Sequence, residues 1–590
     1  MSPDGVTLWV VNPDADTVTP IDTGTLTAGD PVSVGQEPWS VAVSPFGVVV
    51  MNRLGGSLTV LTESGASELP VGPEPGGVAL SVDKRFAYVT VSSQDEVAVV
   101  DLAILTVVER IPVGRLPWAI AVSSDDEGDA TVVVTHRQAR LRDGGREGSR
   151  DGKQGWLTLL RDGQVADKVA LEPLGDGFPN ALEGLALVGD RAWVAHLLNS
   201  PDGDFTFHAT LSGGISTVSV SSAAELTERR INTNEPTFST PVNFPRAIAV
   251  TRDESKAYVV LAGTNAVMGV DISVPDRPRL LGFWAVGKNP RGIVLSPDET
   301  RAFVMNYLSR DVSVLDLTDT IRYPELARIA TTPETLEAEM LQGKILFNHA
   351  ADPRLSRLGW VSCASCHLDG GADGTTWSTP EGLRQTMPLW NLEGTAPFHI
   401  SATRDEIQDF EHDIRKLMGG VGLASGPPPR MLGEPASGRS PELDALAEFV
   451  LRGIRVPRAA PGDAEAIAAG RELFSTAGCT ECHSGPAWTT SHLPGEVGTL
   501  APSGELEVEA VLHDVGTYNP ETDILGMNGF DVPTLLGLHA KAPYLHDGSA
   551  QALHDVLRNE RHVGMQLTSG EMDELVAFLL SIDDRTATFE

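Results

Sequence analysis

A turn-and-strand repeat in the first 330 residues constrains the fold of this 590-residue chain more than any other feature. Prolines heading short apolar runs recur at Pro38, Pro75, Pro117, Pro179, Pro245 and Pro290, about 40 residues apart and about 60 around two longer copies. Shortly after most of them comes a Ser-Pro-Asp-Gly type turn, as at Ser44 to Gly47, Ser81 to Lys84, Thr251 to Glu254 and Ser296 to Glu299. β-Branched runs such as Leu8 to Asn12, Val97 to Leu102, Ala257 to Leu261 and Val312 to Leu317 lie between Gly, Asp and Asn turns. Four strands per period of about 42 residues is the arithmetic of a propeller blade, and six junctions delimit seven units. The spacing predicts an all-β, seven-bladed propeller over residues 1–330.

Beyond Ile329 the pattern turns helical and rich in histidine. All four cysteines fall there, in Cys363-Ala-Ser-Cys366-His367 and Cys479-Thr-Glu-Cys482-His483. Two thiols separated by two residues can form thioethers to the two vinyl groups of one haem, and the adjacent imidazole then binds the iron as proximal ligand. A thioredoxin-like pair or half a zinc site does not require His directly after the second Cys, and here it occurs twice. The motifs predict two covalently bound haem c groups, on His367 and His483, with no thiol left for a disulfide. Sequence elements around them are duplicated. Gly343 to Phe347 and Gly470 to Phe474 precede the Cys pairs, while Pro397-Phe398-His399 and Pro543-Tyr544-Leu545-His546 follow them. Two mainly α, class I cytochrome c modules are expected over 331–458 and 459–590.

The net charge of −36 argues against nucleic acid and anionic membrane surfaces, and suits a small redox protein presenting basic patches as donor or acceptor. No run of 18 apolar residues is present, so no transmembrane segment is expected. Covalent haem attachment takes place outside the cytoplasmic membrane, so a periplasmic or otherwise extracytoplasmic location is expected, with a leader absent from this chain. Two blades carry insertions: the arginine-rich stretch from Arg137 to Lys153 and the stretch from Asn199 to Gly214. Each reads either as a solvated loop or as a surface turned toward the haem modules.

The propeller repeats resemble the YVTN family, visible in Ala87-Tyr88-Val89-Thr90, Ala257-Tyr258-Val259-Val260 and Ala302-Phe303-Val304-Met305-Asn306. Residues 335–590 resemble the bacterial di-haem cytochrome c peroxidase superfamily. The resemblance rests on Gly470 to Phe474, Cys479 to His483, Ala542 to Ser549 and Leu567 to Glu571 followed by Leu575 to Leu579. The first module departs from it, because His399 is followed by Ile400-Ser401-Ala402. The resemblance implies an oxidoreductase passing electrons between two haems to reduce hydrogen peroxide or oxidise a small-molecule substrate, with calcium between the modules. The alternative is a non-enzymatic electron carrier that uses the propeller as a docking platform.

The sixth ligand separates these functions, since a filled position serves electron transfer and an open one admits peroxide. Met418 lies 19 residues after His399 and Met565 lies 19 after His546, so internal symmetry makes both candidate distal ligands. His562 rivals Met565 at the second haem, and His412 rivals Met418 at the first. His399 and His546 are alternatives, as ligands or as partners of haem propionates. Glu411 and His412 are the candidate catalytic acid and base, and Trp390 is a candidate electron relay.

Overall fold

The computed structural model describes residues 1–589 except 125–127, 176, 205–208, 234–242, 380, 433, 492–511, 522 and 524–528. Up to Ala330 the described chain forms seven antiparallel sheets in sequence order, the blades of a β-propeller. Five blades have four strands, and the fourth and fifth have five. The first sheet opens with Thr7–Asn12, which matches the second strand of other blades, such as Gly47–Asn52 and Arg301–Asn306.

The repeats seen in the sequence are hydrogen-bonding devices. In the turns, Ser81 and Ser296 donate their hydroxyls to Asp83 and Asp298 at 2.6 Å, and accept from the amides of Phe86 and Arg301. Thr251 does the same with Asp253 and Lys256. These clasps close each hairpin locally, so the strand register does not depend on the neighbouring blade. At the other end of the hairpins, buried Asn12, Asn52 and Asn306 each donate to side-chain oxygens five and seven residues ahead, such as Ser57 and Thr59.

The repeat prolines start the innermost strands, at Pro38, Pro75, Pro117, Pro245 and Pro290. Residues beside these prolines therefore gather at one mouth of the central channel. The haem modules sit against that mouth.

Past Ala330 helices take over, beginning with Ala338–Asn348. Each module is closed by a pair of crossing helices, Ala338–Asn348 with Pro441–Glu448 and its extension to Gly453, and Ala464–Thr476 with Ser569–Leu580. The duplicated Gly and Phe explain the crossings. A Cβ on Gly343 would lie 1.9 Å from the Ala445 carbonyl, and one on Gly470 would lie 2.0 Å from that of Glu574. One turn on, Phe347 meets Phe449 edge-on at 5.3 Å and Phe474 meets Phe578 at 5.4 Å. Glycine lets the backbones touch, and the aromatic pair fills the space beside the contact. No helix among the described residues is long and apolar enough to cross a membrane.

Both propeller insertions face the helical modules. In the first, Gln138 donates to the Ala372 carbonyl at 2.8 Å, Lys153 to that of Gly374 at 2.5 Å, and Glu147 accepts from Gln551 at 3.1 Å. From the second, the Pro201 carbonyl accepts from the Ser378 amide at 2.9 Å.

Candidate haem sites

Each C-x-x-C-H segment makes the same tight turn, with the His367 amide donating to Cys363 O at 2.9 Å and the His483 amide to Cys479 O at 2.8 Å. The first is a one-turn helix, Cys363–Cys366, and propeller Asn243 donates to Ser365 within it at 2.9 Å. No disulfide joins any of the four cysteines. Burial pushes the Cys363 and Cys479 thiols up to about 11, so neither is a reactive thiolate. Burial also pushes His367 and His483 down to about 4, which keeps both imidazoles neutral at neutral pH and able to donate a lone pair to a metal. Among the described residues, no hydrogen bond of good geometry reaches the Nδ1 atom of either ring. Unbridged thiol pairs beside neutral, incompletely satisfied imidazoles fit a covalently tethered haem in each module.

On the candidate distal side the modules diverge. Met418 is buried, and its carbonyl accepts from Trp360 Nε1 at 3.2 Å and from the Arg357 amide at 3.0 Å. Met565, at the same sequence offset, is 41% exposed. The ring that faces His483 is His562, with centroids 6.3 Å apart and planes inclined by 63°. That spacing and tilt fall within the range of an edge-to-face ring pair. They also bring two neutral imidazoles close enough to share one metal atom. Burial lowers His562 as well, and its Nδ1 has no partner among the described residues.

The paired histidines after the Cys motifs also differ. His399 is half-buried, with Nδ1 3.2 Å from both Glu381 and Thr403. His546 is 5% exposed, stacked on Phe530 at 3.9 Å, with Nδ1 3.3 Å from Thr517. Glu411 is fully buried, and its carboxylate accepts from Arg415 Nε at 2.8 Å and from the Leu423 and Ala424 amides at 3.0 and 3.1 Å. These bonds hold the loop around residue 423. His412 Nε2 lies 2.6 Å from the Pro429 carbonyl.

Several residues emerge only from the structure. Asp409 lies in a carboxylate group with Asp405 and Glu406, and burial together with Asp405 pushes it up to about 7. Lys541 is 5% exposed and lies 5.8 Å from the Tyr544 ring, with no ion-pair partner among the described residues, and burial pushes it down to about 8. Asp369, two residues after His367, enters a ring of propeller arginines: Arg246 at 2.9 Å, Arg291 at 3.1 Å, Arg53 at 3.6 Å, and Arg137. Burial disfavours its charge, but the four guanidiniums outweigh that and hold the carboxyl well below the usual range. The arginines come from blades far apart in sequence, so no local signal announces the ring.

The two modules are tied at Arg384, which pairs with Asp523 at 2.7 Å, and at Gln385, whose amide donates to the His546 carbonyl at 2.7 Å. Trp390 is buried between them. A Cβ on Gly371, in the loop after His367, would lie 3.1 Å from its ring, and one on Gly537 of the second module 2.6 Å.

A propeller backing two helical modules with C-x-x-C-H loops defines, at the family level, a di-haem oxidoreductase of the c type. The chain belongs to the di-haem cytochrome c peroxidase family. It is 30% identical over 290 residues to the cytochrome c551 peroxidase of Nitrosomonas europaea, a match covering 43% of this chain and 82% of that protein. It is also 30% identical over 290 residues to the methylamine utilization protein MauG of Methylorubrum extorquens, covering 42% and 78%. Among solved structures, Kuenenia stuttgartiensis hydrazine synthase is similar at a TM-score of 0.46 and 20% identity, covering 54% of this chain and 94% of that one. No protein-family model matches the chain.

Proposed function

We propose that the chain carries two haem c groups with unequal tasks: the second receives or delivers electrons, and the first reduces peroxide or oxidises a small substrate. The observation that carries this reading is His562 facing His483 while Met565 points to solvent. Haem supplies one-electron exchange where both axial positions of its iron are filled, and binds peroxide where one is open. Cys363 and Cys366 would tether the first group and Cys479 and Cys482 the second, and His367 and His483 would bind the irons. His562 would supply a further ligand to the second iron.

Trp390, in contact with the backbone of both modules, provides a continuous path of packed atoms between them. Lys541, buried with no carboxylate partner among the described residues, supplies a counter-charge for an acidic group of the cofactor. Asp409 is better suited than Glu411 to hold and release a proton in the first module, because its carboxyl titrates near neutral pH while Glu411 is committed to Arg415 and two amides. The protein works outside the cytoplasmic membrane, and its acidic surface favours a redox partner with basic patches.

The test is the optical response of the half-reduced protein to hydrogen peroxide. A stoichiometric spectral change confined to one haem supports the reading. Two haems that both ignore peroxide would make the protein an electron carrier instead.

A further inference from the structure

A cavity of about 150 Å³ lies between the propeller mouth and the loop that follows His367. Arg53, Arg137 and Arg291 of the arginine ring line it, and Arg246 lies behind them. Five guanidiniums, of Arg53, Arg137, Arg246, Arg291 and Arg455, face only four carboxylates, of Glu37, Glu74, Glu183 and Asp369. Lys344 adds nothing to this balance, since Asp14 neutralises it at 2.9 Å. In a protein of net charge −36, a buried site with a positive excess runs against the rest of the molecule.

The excess is directed into the cavity. Arg455 spends its guanidinium on Glu37 and Glu74. Arg53, Arg137 and Arg291 line the cavity and spend one edge each on Asp369 or its neighbours. Arg53 Nη2, Arg137 Nη1 and Arg291 Nη1 make no hydrogen bond to a described residue. The three side chains are also held in place from behind. Arg53 lies 4.7 Å over Trp39, Arg137 4.1 Å over Trp118 and Arg291 4.2 Å over Tyr307. Cation–π seating fixes the forks before any ligand arrives, which lowers the ordering cost of binding. Burial and the neighbouring Arg246 push Arg291 down to about 10, as expected for a cation short of counter-charge.

We infer that this cavity is a binding site for a small monovalent oxyanion, a carboxylate or an inorganic oxyanion, held by the free edges of Arg53, Arg137 and Arg291. Planar two-oxygen acceptors match the guanidinium fork, and one negative charge cancels the excess. The size admits a species of only a few heavy atoms. The inference does not depend on how the irons are ligated.

The experiment is isothermal titration of the purified full-length haem protein with sodium acetate and with sodium nitrate, against sodium chloride at matched ionic strength. One saturable site per chain is expected for one or both oxyanions, and which of them binds separates the carboxylate from the inorganic source. Arg291→Gln should weaken that site at least tenfold, and Arg291→Lys, which keeps the charge but loses the fork, should weaken it less. Arg252→Gln, at an exposed position far from the mouth, should leave it unchanged. If Arg291→Gln does not melt cooperatively, Arg53→Lys replaces it, with a loss of affinity expected. Absence of a saturable site beyond the chloride control, or equal affinity in the arginine variants, would overturn the assignment.

Discussion

The two haem modules are copies in sequence and unequal in structure. Both have the glycine at the helix crossing, the aromatic pair behind it and the same turn through C-x-x-C-H. They part company where each meets its surroundings. The first is docked on the propeller, with Asp369 in the arginine ring and Met418 buried. The second has Ser484 and Gly485 after its His483, a solvent-exposed Met565, and His562 turned toward His483. Duplication preserved what holds a module together, while the groups that decide reactivity follow local packing.

The modules should differ most when their thiols are removed. Changing Cys363 and Cys366 to Ser should halve the haem content and abolish the peroxide response, whereas the same change at Cys479 and Cys482 should halve it and remove electron supply. Haem quantification with a peroxide assay distinguishes the two. Next in size, Asp369→Asn leaves four guanidiniums short of a carboxylate. Breaking a buried pair costs about 3 to 5 kcal/mol, so a clear drop in melting temperature is expected. Ser484→Ala, near the matching position of the second module, should have little effect.

A pH prediction separates the propeller from the modules. His136 and His196 are buried in blades four and five, and burial lowers them to about 3 and about 4. Both are neutral when folded, while the unfolded chain takes up protons below about 6.5. Their contribution is therefore fully present above about 6.5 and declines as pH falls toward 4, at about 1.4 kcal/mol per unit for each. Unfolding of the propeller followed by circular dichroism between pH 7 and 4 should show this loss, and His136→Gln should reduce it. The smallest effect is expected at Met565→Leu, which should leave the visible spectrum of the second haem unchanged.

The blades were legible in the sequence because their repeats are local. Ser81 with Asp83, or Asn52 with Ser57 and Thr59, bond within one hairpin, and spacing alone exposes them. The C-x-x-C-H residues were legible for the same reason. The arginine ring was not, since Arg53, Arg137, Arg246 and Arg291 meet only when the blades close into a circle. Equal offsets from His399 and His546 suggested Met418 and Met565 alike, but offset carries no information about burial, and only Met418 is inside. Glu411 looked available as an acid, yet the loop amides that occupy it lie more than ten residues away. Asp409 needed the approach of Asp405 to stand out.

The proposed division of labour rests on His562 as a ligand of the second iron. Low-temperature EPR of the oxidised protein, with near-infrared magnetic circular dichroism of the same sample, tests it directly. A low-spin haem with two imidazole ligands is expected, becoming high-spin in His562→Ala and untouched in Met565→Leu. A methionine-ligated second haem, lost in Met565→Leu and kept in His562→Ala, would contradict it.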